Sequence, residues 1–499
     1  MRLMSEFSDL PFRLPPPPAA SPSNACWNFY SAVVTSSQMG GFSSHPLQNF
    51  NRLSSVLERT PPELLSEIFL WTLPLTREAT RRAKFHATDS PWVLTHVNRR
   101  WRAIAISNPS LWSLVTIKYL PSSNPTFSFP LPMVETQIAR ARKLRIHFHG
   151  CETADSLPQI AVFQCLVAHA SRWEELCLLL TSQLVLLLAG LRDRVPLLQR
   201  LWIEWDQPKS QAGMESIDCF ETAPSLVDAG VSNTFRSIPF RVPVQQLTRY
   251  QFDGPWEMHR RILLQVAPSL IEARIIISFD NDPWPNPDGS GIIDLTSLRR
   301  LCVTHPDILN YIRTPRLEEI AVHFAKEEEK ALPTYFVTIL SRSRCPLRKL
   351  CLVGEPAAHP TADILRNIPS IVELSIIISP RAADTAVDAF ISHFAVVTGS
   401  DSTIPVVAPH LRSILFGCRG KKHINYTLYL AMVKARRKAV GCALERTALL
   451  FKHSQPKLNP SILNELDILR REGLQLVITE GSEASHAMKV WTLHPRWIN

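Results

Sequence analysis

Between residues 60 and 112 the apolar positions recur at helical intervals. Leu64, Leu65, Ile68, Phe69 and Leu73 lie three or four residues apart and predict one apolar helix face. Thr60 with Glu63 reads as a capping box, and Pro61 stands where a missing N–H costs nothing, so a helix is expected to begin there. It should end by Leu73, because Pro74 disfavours helical geometry in the residue before it. Ser90-Pro91 starts a second helix with the stripe Val93, Val97, Trp101 and Ile104, stopped by Asn108-Pro109; a short turn then presents Leu111 and Trp112. Fifty residues bury too little surface to stand alone, so this unit, placed at 51–118 with an insert at 74–90, must lean on another domain or on a partner.

From about residue 139 to the C-terminus the pattern changes to a loose refrain. A Pro or polar residue precedes a Leu, two or three polar residues follow, and then apolar residues alternate, as in VPLLQRLWIEW from 195, TPRLEEIAVHF from 314 and IPSIVELSIIIS from 368. The leading apolar residues are Leu197, Leu226, Leu247, Leu270, Leu298, Leu317, Leu347, Ile371 and Leu411. Their separation suits one strand and one helix or irregular return per unit. Alternation such as Leu201, Ile203 and Trp205 sends every second side chain to one face. A unit of this size cannot cover that face by itself, so neighbours must stack, and the expected fold class is α/β, a curved strand/helix solenoid. Two polar or Pro/Gly-rich inserts, 206–240 and 280–291, are expected to be loops, and Trp256, Asp280, Asp282 and Trp284 are candidate substrate contacts. The run from Lys326 to Lys330 reads as a solvated helix face.

Composition adds limits. The chain has 499 residues, 45% hydrophobic and 20% charged, the balance of a folded globular protein. Residues 1–50, rich in Ser, Pro and Phe with four prolines at 15–18, read as a disordered tail. The apolar stretch from Leu176 to Leu191 is too short for a membrane span and carries Thr181, Ser182 and Gln183 at its centre; it is expected to be a buried strand followed by a helix. Ten cysteines without a C-x-x-C pair match neither a zinc finger nor a dense disulfide framework and suit a reducing compartment, cytoplasmic or nuclear. The net charge of +10 is local. Residues 412–457 hold eleven Lys or Arg against the single acid Glu445, making Lys421, Lys422, Lys434, Arg436, Arg437 and Lys438 a candidate basic patch. No GxSxG, HExxH, Walker or GxGxxG motif is present, so no catalytic residue, metal or cofactor is expected.

The first of these stretches resembles an F-box. Pro61, Glu63, Leu64, Ile68 and Phe69 match the first half of that motif, Arg99 to Arg102 the basic-Trp-Arg element, and Leu111 with Trp112 its end; Thr60 and Asn98 replace residues that are commonly Leu and Cys. SPWVLTHVNRRWRAIAISNPSLW is similar to the F-box-like family of mushroom-forming fungi. The repeats resemble degenerate leucine-rich repeats. The resemblance implies that Pro61, Leu64, Leu65, Ile68, Phe69, Val97, Trp101, Leu111 and Trp112 dock a Skp-type adaptor and through it a cullin-RING ubiquitin ligase, while the repeats hold a protein substrate; neither membrane nor nucleic acid is an expected partner. The rival expectation is a protein-binding repeat scaffold outside any ligase, in which the same helices only cap the solenoid.

Overall fold

A computed structural model describes residues 59–73, 88–121, 131–280, 291–382, 386–395, 407–420, 424–439, 442, 444–454 and 459–491. The N-terminal tail, most of the first insert, and the positions Asp282, Trp284, Lys421 and Lys422 lie outside them.

The N-terminal unit consists of helix α1 (Pro62–Trp71), α2 (Leu94–Val97), α3 (Arg99–Ser107) and a 3-10 turn at Pro109–Trp112. The expected capping box does not form, because Pro61 rather than Thr60 is the N-cap of α1. The expected single second helix is broken at Asn98. That residue is extended, and its side chain accepts a hydrogen bond from the Trp101 N–H at 2.8 Å, so it caps α3. An Asn in that role satisfies one of the orphan donors of a new helix, which continuous helical geometry would have denied it.

The rest alternates strands and helices: β1 (Leu114–Lys118), α4 (Leu131–Arg140), β2 (Leu144–His149), α5 (Ser156–Val167), β3 (Trp173–Leu180), α6 (Ser182–Val185), β4 (Arg200–Trp205), β5 (Asp228–Val231), β6 (Arg249–Gly254), α7 (Trp256–Val266), β7 (Glu272–Ile277), β8 (Ile293–Asp294), β9 (Arg300–Val303), β10 (Ile312–Arg313), β11 (Glu319–His323) and α8 (Leu332–Ser343). It continues with β12 (Lys349–Gly354), α9 (Ala358–Asn367), β13 (Glu373–Ile378), α10 (Ala386–Ala395), β14 (Ser413–Cys418), α11 (Tyr426–Lys438), β15 (Arg446–Phe451), α12 (Pro460–Arg471), β16 (Gln475–Glu480) and α13 (Gly481–Trp491). Fourteen strands form one open sheet in sequence order, and β8 with β10 form a separate pair. All pairings in the large sheet are parallel. The molecule is therefore a mixed α/β protein built on a large parallel sheet that does not close into a barrel.

Three expectations shift here. Leu226 and the seven leading residues after it are buried, but Leu197 is 41% exposed and its neighbour Leu198 is buried instead. Leu198 is the residue two places ahead of Arg200, whose strand pairs in register with β3 and β5, so register and not the first Leu of a Leu-Leu pair selects the core position. The insert at 206–240 is not all loop, since β5 lies within it and continues the sheet. Likewise β1, assigned from sequence to the helical domain, is the first strand of the sheet.

Helices α4, α5 and α7 to α12 bury their apolar residues with one face of the sheet, in a single cluster that also takes in Leu65, Phe69, Leu111 and Trp112 of the N-terminal unit. The opposite face carries a second cluster, Cys302, Ala321, Cys351, Val353, Ile377, Leu415 and Leu450, which α13 covers with Ala484 and Met488. Gly417 makes this docking fit: a Cβ there would stand 2.7 Å from the Met488 sulfur. Strands buried on both faces read as near-continuous apolar runs, which is why Ile376, Ile377 and Ile378 are all buried.

Candidate functional site

Three surfaces merit attention, and the first is α1. Leu65 and Phe69, one turn apart, are fully buried, with Phe69 4.8 Å from the Trp101 ring. Leu64 is 56% and Trp71 62% exposed, and Ile68 between them is half-buried. Residues 64, 68 and 71 follow the i, i+4, i+7 spacing of one helix face, so α1 has two apolar stripes, one used by its own core and one not. Val97, 51% exposed, and the exposed Pro61 lie outside the core as well.

Leu111 and Trp112, expected at a docking surface, are buried. The Trp112 indole donates to the Ala105 carbonyl at 2.8 Å, stands edge-on to Trp92 at 5.0 Å and lies under the Arg140 guanidinium at 4.4 Å. Gln137 of α4 donates to the Leu114 carbonyl at 2.6 Å and more distantly, at 3.3 Å, to that of Trp112. These two residues, with Leu65 and Phe69, therefore weld the helices to the sheet, because their large apolar surface is worth more in a shared core than in water.

The second surface is the sheet face under α13. Its β4–β7 end is polar: Glu204, Asp253 and Arg274 project there on the side opposite the helices. Trp202 lies over Gly230, where a Cβ would meet its ring at 2.3 Å, and donates to the Glu204 carboxylate at 2.7 Å. Burial raises the Glu204 carboxyl, against the opposing charges of Lys489 on α13 and Arg274. Asp253 is 3% exposed, and burial pushes its carboxyl up to about 7 despite Arg274 and a hydrogen bond from Ser232. Asp253 Oδ1 and Arg274 Nε have no hydrogen-bond partner among the described residues. Buried polar atoms left in this way are uncommon in native structures and point to water or a ligand group. Farther along, burial and the Arg419 and Arg274 charges hold His323 well below its ordinary value.

Along one end of the strands runs a feature that sequence reading missed. The residues in register at the strand starts are Arg145, Glu175, Arg200, Asp228, Arg249, Glu272, Arg300, Glu319, Lys349 and Glu373, alternating in sign across ten strands. Ion pairs join Glu175–Arg200 at 3.1 Å, Asp228–Arg249 at 3.4 Å, Arg249–Glu272 at 3.6 Å, Glu272–Arg300 at 3.0 Å, Arg300–Glu319 at 3.2 Å and Glu319–Lys349 at 3.5 Å. At the next strand Ser413 interrupts the alternation, and Arg446 reaches across it to Glu373 at 2.7 Å. Each pair contributes little, but a strand pairing with its second neighbour would set like charges opposite each other. The signal was available as the charged residue two places after seven of the nine leading apolar residues, from Leu226 to Ile371.

Comparison with protein-family models and with curated proteins gives no match for this chain. What the surfaces do must be argued from their own chemistry.

The remaining candidates change role. Trp256 is buried against Tyr311, with ring centroids 5.2 Å apart, and is not offered to a substrate, while the half-buried Asp280 accepts from the Trp256 N–H at 2.9 Å and so holds the start of α7. Of the four described members of the basic patch, Arg436 is internal and the other three keep some exposure. Arg436 is 1% exposed, donates to the Val407 and Ala408 carbonyls at 2.5 and 3.2 Å, and lies over the Phe394 ring. Lys434 pairs with Glu465, Arg437 donates to the Glu472 carbonyl at 3.0 Å, and Lys438 is the exposed member. Asn425 of the Asn-Tyr-Thr triplet caps α11 by accepting from the Leu428 N–H. Lys326–Ala331 forms a 3-10 turn in which Glu328 faces inward, and with His305 and Asp307 it makes a group able to hold a metal ion. The stretch once open to a membrane reading is β3 followed by α6 and a further turn, and no helix among the described residues is long and apolar enough to cross a membrane. The nine cysteines described form no disulfide with one another.

Proposed function

We propose that this chain is the substrate-recognition adaptor of a Skp-cullin-F-box type ubiquitin ligase, with the N-terminal helices docking the adaptor and a leucine-rich-repeat-like solenoid holding the substrate. The observation that carries the reading is the second stripe of α1, Leu64, Ile68 and Trp71, which the chain's own core leaves uncovered. A helix laid into an apolar groove uses that spacing. The unpartnered Asp253 and Arg274 atoms on the face opposite the helices support a substrate site there, one that favours a polar or charged segment. In this reading the chain performs no chemistry itself; it raises the local concentration of a substrate lysine near a conjugating enzyme.

A second reading, a repeat scaffold capped by its N-terminal helices, is favoured by the complete burial of Phe69 and Trp112. The test is recovery of the Skp-type adaptor and cullin with the full chain and with a Leu64→Asp, Trp71→Ala variant. The ligase reading expects the wild type to capture both and the variant to lose them while melting normally. Under the scaffold reading neither chain captures them.

A further inference from the structure

We propose a divalent transition-metal site formed by His305, Asp307 and Glu328. The three come from the segments that follow β9 and β11, neighbouring strands in register from Arg300 opposite Glu319. His305 Nδ1 lies 3.1 Å from Asp307 Oδ2 and 3.2 Å from Glu328 Oε1, and one donor atom from each residue falls within 4.8 Å of the others.

Two observations point to an ion. The first is distance: ligands bound at about 2.1 Å and 90° to 109° apart are themselves separated by roughly 3.0 to 3.4 Å. Both separations from the imidazole nitrogen fall in that span. The second is support from outside the group. Tyr335 donates its hydroxyl to Asp307 Oδ1 at 2.6 Å, and the Ala325 N–H donates to Glu328 Oε2 at 2.7 Å. Each carboxylate is thus held by its far oxygen and turned so that its near oxygen meets the imidazole, the arrangement by which outer contacts orient metal ligands.

Donor chemistry narrows the ion. One imidazole and two carboxylates suit zinc and its first-row neighbours, whereas magnesium and calcium prefer oxygen alone. Three protein ligands leave at least one position for water or for a side chain from a bound protein. Sequence scanning missed the site because Glu328 comes from the next strand unit, twenty-one positions beyond Asp307, at no fixed motif spacing.

The experiment titrates the chelator-stripped full chain with Zn²⁺ by calorimetry and with Co²⁺ by absorption. It is repeated with Glu328→Gln and with the His305→Ala, Asp307→Asn double variant, all checked for wild-type melting without metal. The expected result is saturable uptake at this site, a Co²⁺ spectrum of nitrogen and oxygen ligation without a thiolate charge-transfer band, at least tenfold weaker uptake in Glu328→Gln, and loss in the double variant. Mg²⁺ and Ca²⁺ at the same concentration should not compete. Absence of saturable uptake by the wild type, uptake unchanged in either variant, or a thiolate-type spectrum would each overturn the site. If the double variant melts early, Glu328→Gln alone decides, since it keeps the Ala325 contact and removes only the charge.

Discussion

Single residues set local geometry by satisfying or stranding one polar group. Asn98 ends one short helix and caps the next, so Asn98→Ala should destabilise the chain by about 0.5 to 2 kcal/mol in urea unfolding. Arg436 shows the opposite of what a basic run suggests. Its guanidinium is held to two backbone carbonyls, and burial pulls it down to about 10. Arg436→Ala should therefore cost about 1 to 3 kcal/mol for the stranded carbonyls, whereas Lys438→Ala, at an exposed position, should stay within about 0.5 kcal/mol. Asp253 supplies a pH dependence. Its folded value, about 7, lies above that of an unfolded Asp, so between roughly pH 4 and 7 the folded chain holds a proton that the unfolded chain has released. Stability from this group is thus full below about pH 4 and lost progressively as pH rises to 7. Asp253→Asn should flatten that part of the stability profile, as thermal melts across the range would record; an unchanged slope would mean that Asp253 does not titrate there.

At the scale of elements, α1 and the charge ladder show how one segment can answer two demands. Phe69→Ala should cost about 3 to 5 kcal/mol because it opens a cavity in the shared core, while Leu64→Ala should leave melting nearly unchanged and, under the proposed docking role of α1, weaken adaptor capture only. The sequence showed both residues on an apolar helix and could not say which stripe turned inward, since that depends on where Trp101 and Trp112 arrive from later in the chain. In the ladder, Arg300 is 15% exposed and lies between two acids. Reversal by Arg300→Glu would place three acids side by side, so it should lower the urea midpoint more than Arg300→Ala does, and raising the salt concentration should narrow the gap.

For the whole molecule, the N-terminal helices and α13 act on different faces. A chain truncated before residue 113 would lose Trp92 and Trp112 and the cover both rings give Arg140, leaving the first strand with an open apolar end. Such a chain should aggregate or melt at lower temperature, so point changes on the outer stripe of α1 separate docking from stability more cleanly than removal of the unit does. Truncation before residue 481 would uncover Cys351, Val353, Ile377 and Leu415. It should raise the binding of a hydrophobic dye and, if the sheet face under α13 receives substrate, change the set of captured proteins.

Some of this architecture was legible beforehand because it follows from short-range rules. The recurring Leu followed two places later by a strand, the polar returns and the breaks at Pro and Asn are consequences of local geometry, and they located most strands of the parallel sheet and the helices at its N-terminal end. The face on which each side chain would be spent was not legible. Leu198 rather than Leu197, Phe69 inward beside Leu64 outward, Trp256 in the core and Arg436 buried all depend on contacts between segments distant in sequence. The meeting of His305 and Asp307 with Glu328, and the alternation of charge from Arg145 to Glu373, have the same origin: parallel pairing brings together residues some twenty to thirty positions apart. Sequence by itself determined most of the elements, because helix and strand periods are written within a few residues. Only the tertiary structure decided which groups meet, because burial and Coulomb interaction act between neighbours in space.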